Sequence, residues 1–473
     1  MKKVFVSGNF NILHPGHLRL LKFAKESGDY LMVGVTANSL GDNSLLDETF
    51  RLEAVQATSF VDEAFLLNED VNTYLQRLKP DIVVKGKEHE EKYNKELEVL
   101  QTYGGKLLFT SGEISFSSMD LLKQEFLNTI ISNISHDKEY LNRHGITPVR
   151  LKEIVDCYKD LNVMVIGDTI IDEYIANEPL GMSQEDPTIV VRPISSKKFI
   201  GGASIVAAHA KTMGANVEFI SVVGEDENQK WLEEELEQLQ ISQQLFSDAT
   251  RPTTLKQRHR AKGKTLLRVN YFKQHTISKE LEESIVKQIQ KSVASLDLII
   301  LSDFSYGIFS LSLIEKITQM AKEHNIKVVA DSQSSSQIGD IAKFNEMVLV
   351  TPTEREIRLA LNDFKSGLVV LSEKLIAKSK PKYIFTTLGS EGVLIYNNQE
   401  GLLTDKLPAL SNIASDVSGA GDSLLTCASM ALSVGATIWE AAYLGSLAAA
   451  IQVSRVGNIP IKKSEIMNEL DVQ

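Results

Sequence analysis

The sequence predicts an α/β protein with a compact first domain and a second domain built on a doubly wound sheet with a small β lid. Short runs of branched apolar residues alternate with helical segments along most of the chain. A strand that runs into a glycine opens each domain, once at Val4–Val6 before Gly8 and once at Val163–Ile166 before Gly167. At 473 residues the chain is too long for one hydrophobic core. This alternation is typical of parallel sheets covered by helices on both faces.

The composition excludes several classes of partner. The chain is 43% hydrophobic and 24% charged, as in ordinary water-soluble proteins, and its formal net charge is −12. Because no basic cluster is long enough to follow a nucleic-acid backbone, we expect neither nucleic acid nor an anionic membrane as partner. The two cysteines, Cys157 and Cys427, form no metal motif or disulfide framework. No apolar run reaches membrane-spanning length, so we expect a cytoplasmic protein.

The first domain is predicted over residues 1–127. A strand at Val4–Val6, a loop from Gly8 to Leu13, a helix from Pro15 to Ser27 and a strand from Tyr30 to Thr36 make a βαβ unit. Further elements are helices at 51–59 and 71–78 and strands at 64–67, 82–84 and 106–110. Residues 128–161 read as a polar helical linker with little chemistry of its own.

The second domain is predicted over residues 162–473. Gly201-Gly202 opens a helix at 203–213. Five apolar runs suit parallel strands: 217–223, 298–301, 328–330, 347–350 and 383–387. At about 179–199 and 253–272 the alternation has period two and is partly polar, which predicts a small antiparallel sheet projecting as a lid.

Two histidines follow the first glycine loop. His14 and His17 are three residues apart at a helix start, so both side chains lie on one face. Two imidazole donors there suit a phosphate that gains charge during attack, whereas a zinc site would need a third ligand close in sequence. The alternative is a helix cap and a core histidine.

The first domain resembles the nucleotidyltransferase superfamily with the HxGH signature, in particular its cytidylyltransferase-like branch. The resemblance rests on Gly8 to His17, Arg51, Val61-Asp62, Lys79 to Gly86 and Ile114 to Ser118. It implies a Rossmann-like sheet in which His14 and His17 are catalytic and the nucleotide is bound by Gly8, Phe10, Lys85, Ser117 and Ser118. Asn11 stands where the family usually has Asp, and Ser117-Ser118 where Ser/Thr-Thr is commoner.

A glycine turn lies near the end of the second domain. Gly419, Ala420 and Gly421 precede an apolar helical pattern, which places a helix N-terminus where an anion could bind. Asp422 falls in the first turn, where a carboxylate could take a proton from a hydroxyl that attacks a phosphate. The alternative is an ordinary helix start with an N-terminal acid.

The second domain resembles the ribokinase/phosphofructokinase-B family of sugar kinases, through Gly201-Gly202-Ala203 and Asp416 to Asp422. The resemblance implies a ribokinase-like sheet in which Asp422 is the catalytic base and Gly419, Ala420 and Gly421 hold the moving phosphoryl group. It also implies that Asp172, Gly201 and Gly202 contact the sugar. The nucleotide would be bound by Thr353, Glu356, Thr387 and Gly389, with Glu356 near the metal. Thr353 and Ile205 stand where the family has Asn.

The lid segment carries a basic cluster. Lys256, Arg258 and Arg268 lie among further cations at 260–264. On alternating strands they could bind a substrate that already carries a phosphate. A plain basic edge strand is the alternative.

Together the two domains resemble the bifunctional enzymes of ADP-heptose synthesis, with the domain order reversed. The resemblance implies ATP-dependent phosphorylation of a heptose 7-phosphate at the anomeric hydroxyl, followed by adenylyl transfer to a sugar 1-phosphate with release of pyrophosphate. It also implies Mg²⁺, ATP as substrate and a homodimer formed through the lid. Two alternatives stay open: another sugar or polyol phosphate with ATP or CTP, or one domain that has lost catalysis and acts as a sensor or scaffold.

Overall fold

A computed structural model describes most of the chain, and its contacts divide the chain into two compact units, residues 1–132 and 133–473. The residues described are 2–11, 13, 15–40, 46–86, 94–109, 134–261, 264–334, 339–399, 401, 403–411 and 414–471. His14, Ser117 and Ser118 lie outside these ranges. Each unit is described separately below.

The first unit is a parallel five-stranded sheet in the order β3-β2-β1-β4-β5. Its strands are β1 (Lys3–Gly8), β2 (Tyr30–Thr36), β3 (Glu63–Leu67), β4 (Ile82–Lys85) and β5 (Lys106–Phe109). Its described helices are α1 (Pro15–Glu26), α2 (Glu48–Gln56), α3 (Val71–Leu78) and α4 (Lys95–Gln101). Buried side chains lie on both faces of the sheet, around Val4 and Val6 on one and Phe5 on the other. This is the predicted Rossmann-like arrangement.

The second unit is built on a nine-stranded sheet in the order β10-β9-β6-β13-β14-β15-β16-β17-β18. Its strands are β6 (Asn162–Gly167), β9 (Asn216–Val223), β10 (Ser242–Ser247), β13 (Leu298–Asp303), β14 (Lys327–Ser332), β15 (Leu349–Val350), β16 (Tyr383–Thr387), β17 (Val393–Asn397) and β18 (Thr404–Leu407). The strands pair in parallel as far as β16, and the last two pairs are antiparallel. The parallel strands bring their carboxyl ends to one edge, where a ligand site is expected.

Helices cover both faces of this sheet, so the predicted doubly wound fold is confirmed. One face carries α5 (Lys138–Arg143), α6 (Pro148–Asp156), α7 (Ala203–Thr212), α8 (Glu227–Gln238), α13 (Ala420–Ser433), α14 (Ile438–Val453) and α15 (Lys463–Asp471). The other carries α9 (Lys279–Ser292), α10 (Leu311–Glu323), α11 (Glu354–Leu361) and α12 (Leu368–Ser379).

Residues 134–161, interpreted from the sequence as part of a linker, pack within the second unit. Tyr140, Leu151 and Tyr158 are fully buried in its core. Tyr140 donates a hydrogen bond to the backbone oxygen of Trp439 at 3.0 Å. Because the segment is largely polar, its few apolar residues did not give a pattern strong enough to predict that one side of it is buried.

A separate four-stranded sheet, in the order β12-β11-β7-β8, forms the predicted lid. Its strands are β7 (Thr169–Met182), β8 (Ile189–Gly202), β11 (Leu255–Ala261) and β12 (Lys264–Tyr271). The expectation of a wholly antiparallel sheet is wrong for one pair, because β7 and β11 run parallel. Period-two alternation identifies a strand but does not give the direction of its neighbour.

Candidate active site

The turn before α13 depends on a glycine. Gly419 has φ +76°, a left-handed conformation that side chains disfavour. A Cβ at this position would lie 2.6 Å from Oδ1 of Asn458. The turn therefore brings the amides of the first helical residues to the surface of a cavity, with Asp422 in the first turn of α13.

This cavity, of about 520 Å³, gathers residues from the lid, the sheet edge and the start of α13. Of the residues selected from the sequence, it is lined by Asp172, Gly202, Lys256, Arg258, Thr353, Glu356, Thr387, Gly389, Gly419, Ala420, Gly421 and Asp422. The fold thus brings twelve of these positions, scattered over 250 residues of chain, into contact with one space.

Asp422 is a buried acid whose pKa is raised close to neutral pH. It is 5% exposed, and its Oδ1 accepts a hydrogen bond from Nε2 of Gln333 at 2.9 Å. Burial raises its pKa to about 7, and the negative charge of Asp172 adds to the rise while Lys256 opposes it. A carboxyl group with a pKa near neutrality can accept a proton at physiological pH.

Asp172, on lid strand β7, is also buried, but it has two side-chain partners. Its Oδ2 accepts from Nδ2 of Asn458 at 3.1 Å and its Oδ1 from Nη2 of Arg258 at 3.4 Å. Burial raises its pKa, while Arg258 and Lys256 lower it. Gly201 does not line the cavity; a Cβ there would lie 2.6 Å from Oδ2 of Asp172, so this glycine leaves room for the carboxylate.

Two of the three predicted lid cations reach the cavity. Burial lowers the pKa of Lys256, whose Nζ lies 5.4 Å from the ring centre of Phe304. Arg258 donates to Oγ of Ser418 at 2.7 Å, which joins the lid to the glycine turn. Arg268 is exposed on β12 opposite Arg258 and does not line the cavity.

The loop that leads into the turn is tied down by charge-assisted hydrogen bonds. Asp416 accepts from the hydroxyl of Tyr174 at 2.7 Å and from the backbone N–H groups of Ser418 and Gly457 at 3.1 and 3.2 Å. Burial alone would raise its pKa, but these hydrogen bonds outweigh burial and lower it.

A cluster of carboxylates lies at the sheet edge. Thr353 caps α11 in a capping box: Glu356 accepts from the backbone N–H of Thr353, and also from that of Ser334, both at 2.7 Å. Asp331, at the end of β14, is fully buried, and burial together with the charges of Glu356 and Asp422 raises its pKa strongly. Among the described residues no group of three or more His, Cys, Asp or Glu could hold a metal ion by itself.

Oxygen donors of this kind nevertheless fit Mg²⁺, which is commonly bound by one or two carboxylates together with substrate phosphates and water. A divalent cation would relieve the mutual repulsion of Asp331 and Glu356.

In the first unit the structure describes part of the predicted site. His17 lies in the first turn of α1, with its ring centre 5.1 Å from that of Phe10. Phe10 is buried with φ +48°, and a Cβ on Gly8 would lie 3.3 Å from its ring. Lys85 is paired with Glu96 at 2.7 Å. Arg51 is buried and donates to the backbone oxygen of Asn9 at 2.7 Å, so it supports the loop that leads to the histidines.

Several cavity residues were not selected from the sequence. Asp331 could have been found, because it directly follows the buried run Val328–Ala330 at the carboxyl end of a strand. Gln333 and Asn458 carry no comparable signal, since each reaches the site only through a loop. Ile205, where the family has Asn, is fully buried in α7 and does not line the cavity.

Each of the two units matches the model of a protein family. The model of the pfkB family of carbohydrate kinases matches residues 160–464, and the cytidylyltransferase-like model matches residues 5–106. The bifunctional protein HldE of Helicobacter hepaticus is 30% identical over 319 residues, which cover 67% of this chain and 65% of that protein. HldE of Geobacter metallireducens is 28% identical over 320 residues, covering 67% and 64%. The chain therefore spans slightly less than two thirds of the length of these relatives.

Solved structures agree with the fold of the second unit. The ribokinase of Thermotoga maritima superposes with a TM-score of 0.51 at 23% identity, covering 66% of this chain and all of that one. Phosphofructokinase-2 of Escherichia coli gives a TM-score of 0.54 at 13% identity, covering 66% and 99%. With the family model matching well over half of its residues, the chain belongs to the pfkB family of carbohydrate kinases.

Proposed function

We propose that the protein is a bifunctional sugar-activating enzyme whose second unit phosphorylates the anomeric hydroxyl of a sugar phosphate with ATP. The observation that carries this proposal is Asp422, a buried acid with a pKa of about 7 at the amino end of α13, in the same cavity as Asp172 and Gly419. A base with a pKa near 7, beside the backbone amides at the amino end of a helix, suits phosphoryl transfer to a hydroxyl.

The proposed step balances as follows. Asp422 accepts the proton of the anomeric hydroxyl, whose oxygen forms a bond to the γ-phosphorus of ATP as the bond from that phosphorus to the β-bridging oxygen breaks. ADP leaves, and the product is a sugar 1-phosphate. The amides of Gly419, Ala420 and Gly421 would stabilise the charge of the moving phosphoryl group.

The sugar would lie between the lid and the turn. Asp172 would accept hydrogen bonds from sugar hydroxyls, and Gly202 would let the backbone approach the ring. Lys256 and Arg258 would attract a substrate that carries negative charge. Arg268 would attract the same substrate from a greater distance, through its positive charge.

The nucleotide would lie over the sheet edge, against Thr353, Thr387 and Gly389. Asp331 and Glu356 would hold Mg²⁺, which neutralises phosphate charge when it is bound. Thr353 supports this end by capping the helix that carries Glu356.

We propose that the first unit transfers an adenylyl group from ATP to the sugar 1-phosphate and releases pyrophosphate. The match to the cytidylyltransferase-like model supports this, as does the place of His17 at a helix amino terminus after the β1 loop. His14, Ser117 and Ser118 stay predicted site residues, with Gly8, Phe10 and Lys85 as nucleotide contacts.

The substrate we propose is a heptose 7-phosphate and the final product an ADP-heptose. Both family models on one chain and the similarity to bifunctional HldE proteins support this choice. Removal of the distal phosphate between the two steps would require a separate enzyme.

We also propose a homodimer formed through the lid. The tip of the β7–β8 hairpin exposes Leu180, Met182 and Ile189, which are 58%, 61% and 56% exposed. Such a group of apolar side chains is suited to burial against a second copy of the chain.

No helix in the described part of the chain is long and apolar enough to cross a membrane.

The test is to incubate the full chain with Mg-ATP and a panel of sugar phosphates and to identify the products by mass spectrometry. We expect heptose 1,7-bisphosphate from heptose 7-phosphate, because the kinase step adds a phosphoryl group and leaves the distal phosphate in place. A nucleotide sugar and pyrophosphate should form when a sugar 1-phosphate is supplied. Absence of both products from every sugar would refute the proposal, and normal pyrophosphate release by His17→Ala would refute the role of that histidine.

A further inference from the structure

Gln333 is a cavity residue that makes a hydrogen bond to the proposed catalytic base. It follows β14 directly, and its Nε2 donates to Oδ1 of Asp422 at 2.9 Å. The two residues are 89 positions apart along the chain. The contact is therefore made by the fold, and it joins the edge of the sheet to the helix that carries the base.

The backbone around Gln333 is held on both sides. Its own N–H donates to the backbone oxygen of Asp303, at the end of β13, at 2.9 Å. Ser332 is fully buried and donates through Oγ to the carboxylate of Asp303 at 2.7 Å. On the other side, the backbone N–H of Ser334 donates to Oε1 of Glu356 at 2.7 Å. The amide of Gln333 thus reaches the base from a fixed stretch of backbone.

The hydrogen bond determines which oxygen of Asp422 is left for chemistry. The amide of Gln333 occupies Oδ1, and within the described ranges no protein group donates to Oδ2. Since the carboxyl group lines the cavity, Oδ2 is the oxygen that remains to accept a proton. A misplacement of about 1 Å at a reacting group can cost about 100-fold in rate, so a fixed orientation of this carboxylate matters for catalysis.

Asp422 needs such a restraint because the charges around it act in different directions. Burial and the charges of Asp172 and Glu356 raise its pKa, whereas Lys256 lowers it. Two of these charged residues belong to the lid and one to α11. Asp331, at the end of β14, is a further buried acid in the same cavity. The amide at position 333 is uncharged, so it can hold one oxygen whichever of these groups is ionised.

We propose that Gln333 is a positioning residue for the kinase step, whose amide holds Oδ1 of Asp422 so that Oδ2 meets the attacking hydroxyl. The inference rests on the proposed kinase function and adds to it a residue that acts on the base and not on a substrate.

The kinetic test replaces the amide with a side chain of similar length that has no donor. Gln333→Met should lower kcat for sugar phosphorylation about 30-fold and change the KM values for ATP and for the sugar phosphate less than twofold. Gln319→Met is the matched control, because Gln319 also donates to a carboxylate, that of Glu323 at 2.8 Å, but lies exposed on α10. The control should keep the wild-type kcat. A kcat of Gln333→Met within threefold of the wild type would overturn the proposal.

A double-mutant cycle shows whether Gln333 acts through Asp422. In Asp422→Asn there is no base to orient, so adding Gln333→Met should lower kcat less than twofold further. A further loss as large as that of Gln333→Met alone would show that the glutamine acts elsewhere, and the proposal would then be wrong.

The dependence of the rate on Mg²⁺ separates this role from one at the metal site. Gln333 also makes a hydrogen bond to the side chain of Asp331, a proposed ligand of Mg²⁺. If the residue acts through Asp422, the Mg²⁺ concentration at half-maximal rate changes less than twofold in Gln333→Met. A tenfold rise in that concentration, with kcat restored at saturating Mg²⁺, would contradict the proposal.

Unfolding measurements test the contact without any turnover. The hydrogen bond between Gln333 and Asp422 is present in the folded chain without substrate. The change that Gln333→Met makes in the folding equilibrium constant of the second unit should therefore differ at least threefold between the wild-type background and Asp422→Ala. Equal changes in the two backgrounds would overturn the proposal. Complete lack of kinase turnover in the wild type would instead refute the proposed function, and the unfolding cycle would still decide whether the amide holds this acid.

Discussion

The two sides of the turn at Gly419 carry aspartates with opposite properties. Asp416, on the loop side, accepts hydrogen bonds from Tyr174, Ser418 and Gly457, and its pKa is lowered. Asp422, on the helix side, is more deeply buried, faces the charge of Asp172, and has its pKa raised to about 7. The same side chain type is a hydrogen-bonded anchor at position 416, and we propose it as the proton acceptor at position 422. The pKa of an aspartate in this turn therefore depends on its burial and on the number of hydrogen-bond donors that reach it, and not on the residue type alone.

Among the variants that test this difference between the two aspartates, Asp422→Asn is expected to have the largest effect. Asparagine cannot take the proton, so kcat for sugar phosphorylation should fall by about 1,000-fold. The KM for ATP should change little. The measurement is the initial rate of sugar 1-phosphate formation, with pyrophosphate release from a supplied sugar 1-phosphate as the control for the first unit. A kcat within tenfold of the wild type would contradict the assignment.

The next largest effect concerns the turn itself. Gly419→Ala should lower the free energy of unfolding of the second unit by about 2 kcal/mol, because the alanine must adopt a positive φ and its Cβ approaches Asn458. Gly421→Ala is the matched control, since a Cβ there meets nothing within 4 Å and alanine favours the helix. Urea unfolding can be followed by tryptophan fluorescence, because Trp231 and Trp439 both belong to this unit. An equal decrease in the free energy of unfolding of both variants would show that the left-handed conformation of Gly419 does not cause the loss of stability.

The pH dependence provides a third test. Since the pKa of Asp422 is about 7, kcat/KM for phosphorylation should fall as the pH drops below 7, approaching tenfold per pH unit at lower pH. The raised pKa has the opposite sign for stability: the unfolded acid ionises first, so stability is lost as pH rises from about 4 to 7. Asp422→Asn should therefore lose less stability than the wild type over that range. A flat pH–rate profile between pH 5 and pH 8 would contradict the prediction.

The smallest effect is expected from Asp416→Asn. The amide keeps one acceptor but loses the charge that strengthens three hydrogen bonds, so kcat/KM should fall about fivefold while the pH–rate profile keeps its midpoint. Its lowered pKa gives stability that is present above the unfolded pKa and lost as the pH falls through the folded value. Acid unfolding of the wild type and the variant should therefore converge at low pH. A loss as large as that of Asp422→Asn would erase the distinction between the two aspartates.

Much of the fold was predictable from local pattern. The strand at Tyr383–Thr387 and the helix at Val71–Leu78 lie where the apolar periodicity placed them, since that signal depends only on neighbouring residues. The strands Val393–Asn397 and Thr404–Leu407 were not predicted, because short antiparallel strands at a sheet edge carry little periodic signal.

The site was predictable where a backbone constraint leaves a mark on the sequence. Gly419 and Gly202 mark close approaches and positive φ angles, so the turn and the cavity wall beside Asp172 could be identified by reading residues in order. Arg268 could not be separated from Arg258 in this way, because strand pairing gives both the same face and only distance from the cavity divides them.

The sequence alone determined the alternation of strands and helices, the glycine turn before α13 and the presence of an acid just after it, because each is a property of adjacent residues. Tertiary structure decided the pKa of that acid. Asp172, Lys256 and Gln333 act on the pKa of Asp422 from positions about 90 to 250 residues away, and Asn458 sets the steric limit at Gly419 from the far side of two helices. Electrostatic environment and close packing depend on distances in space, and only the folded chain brings these residues together.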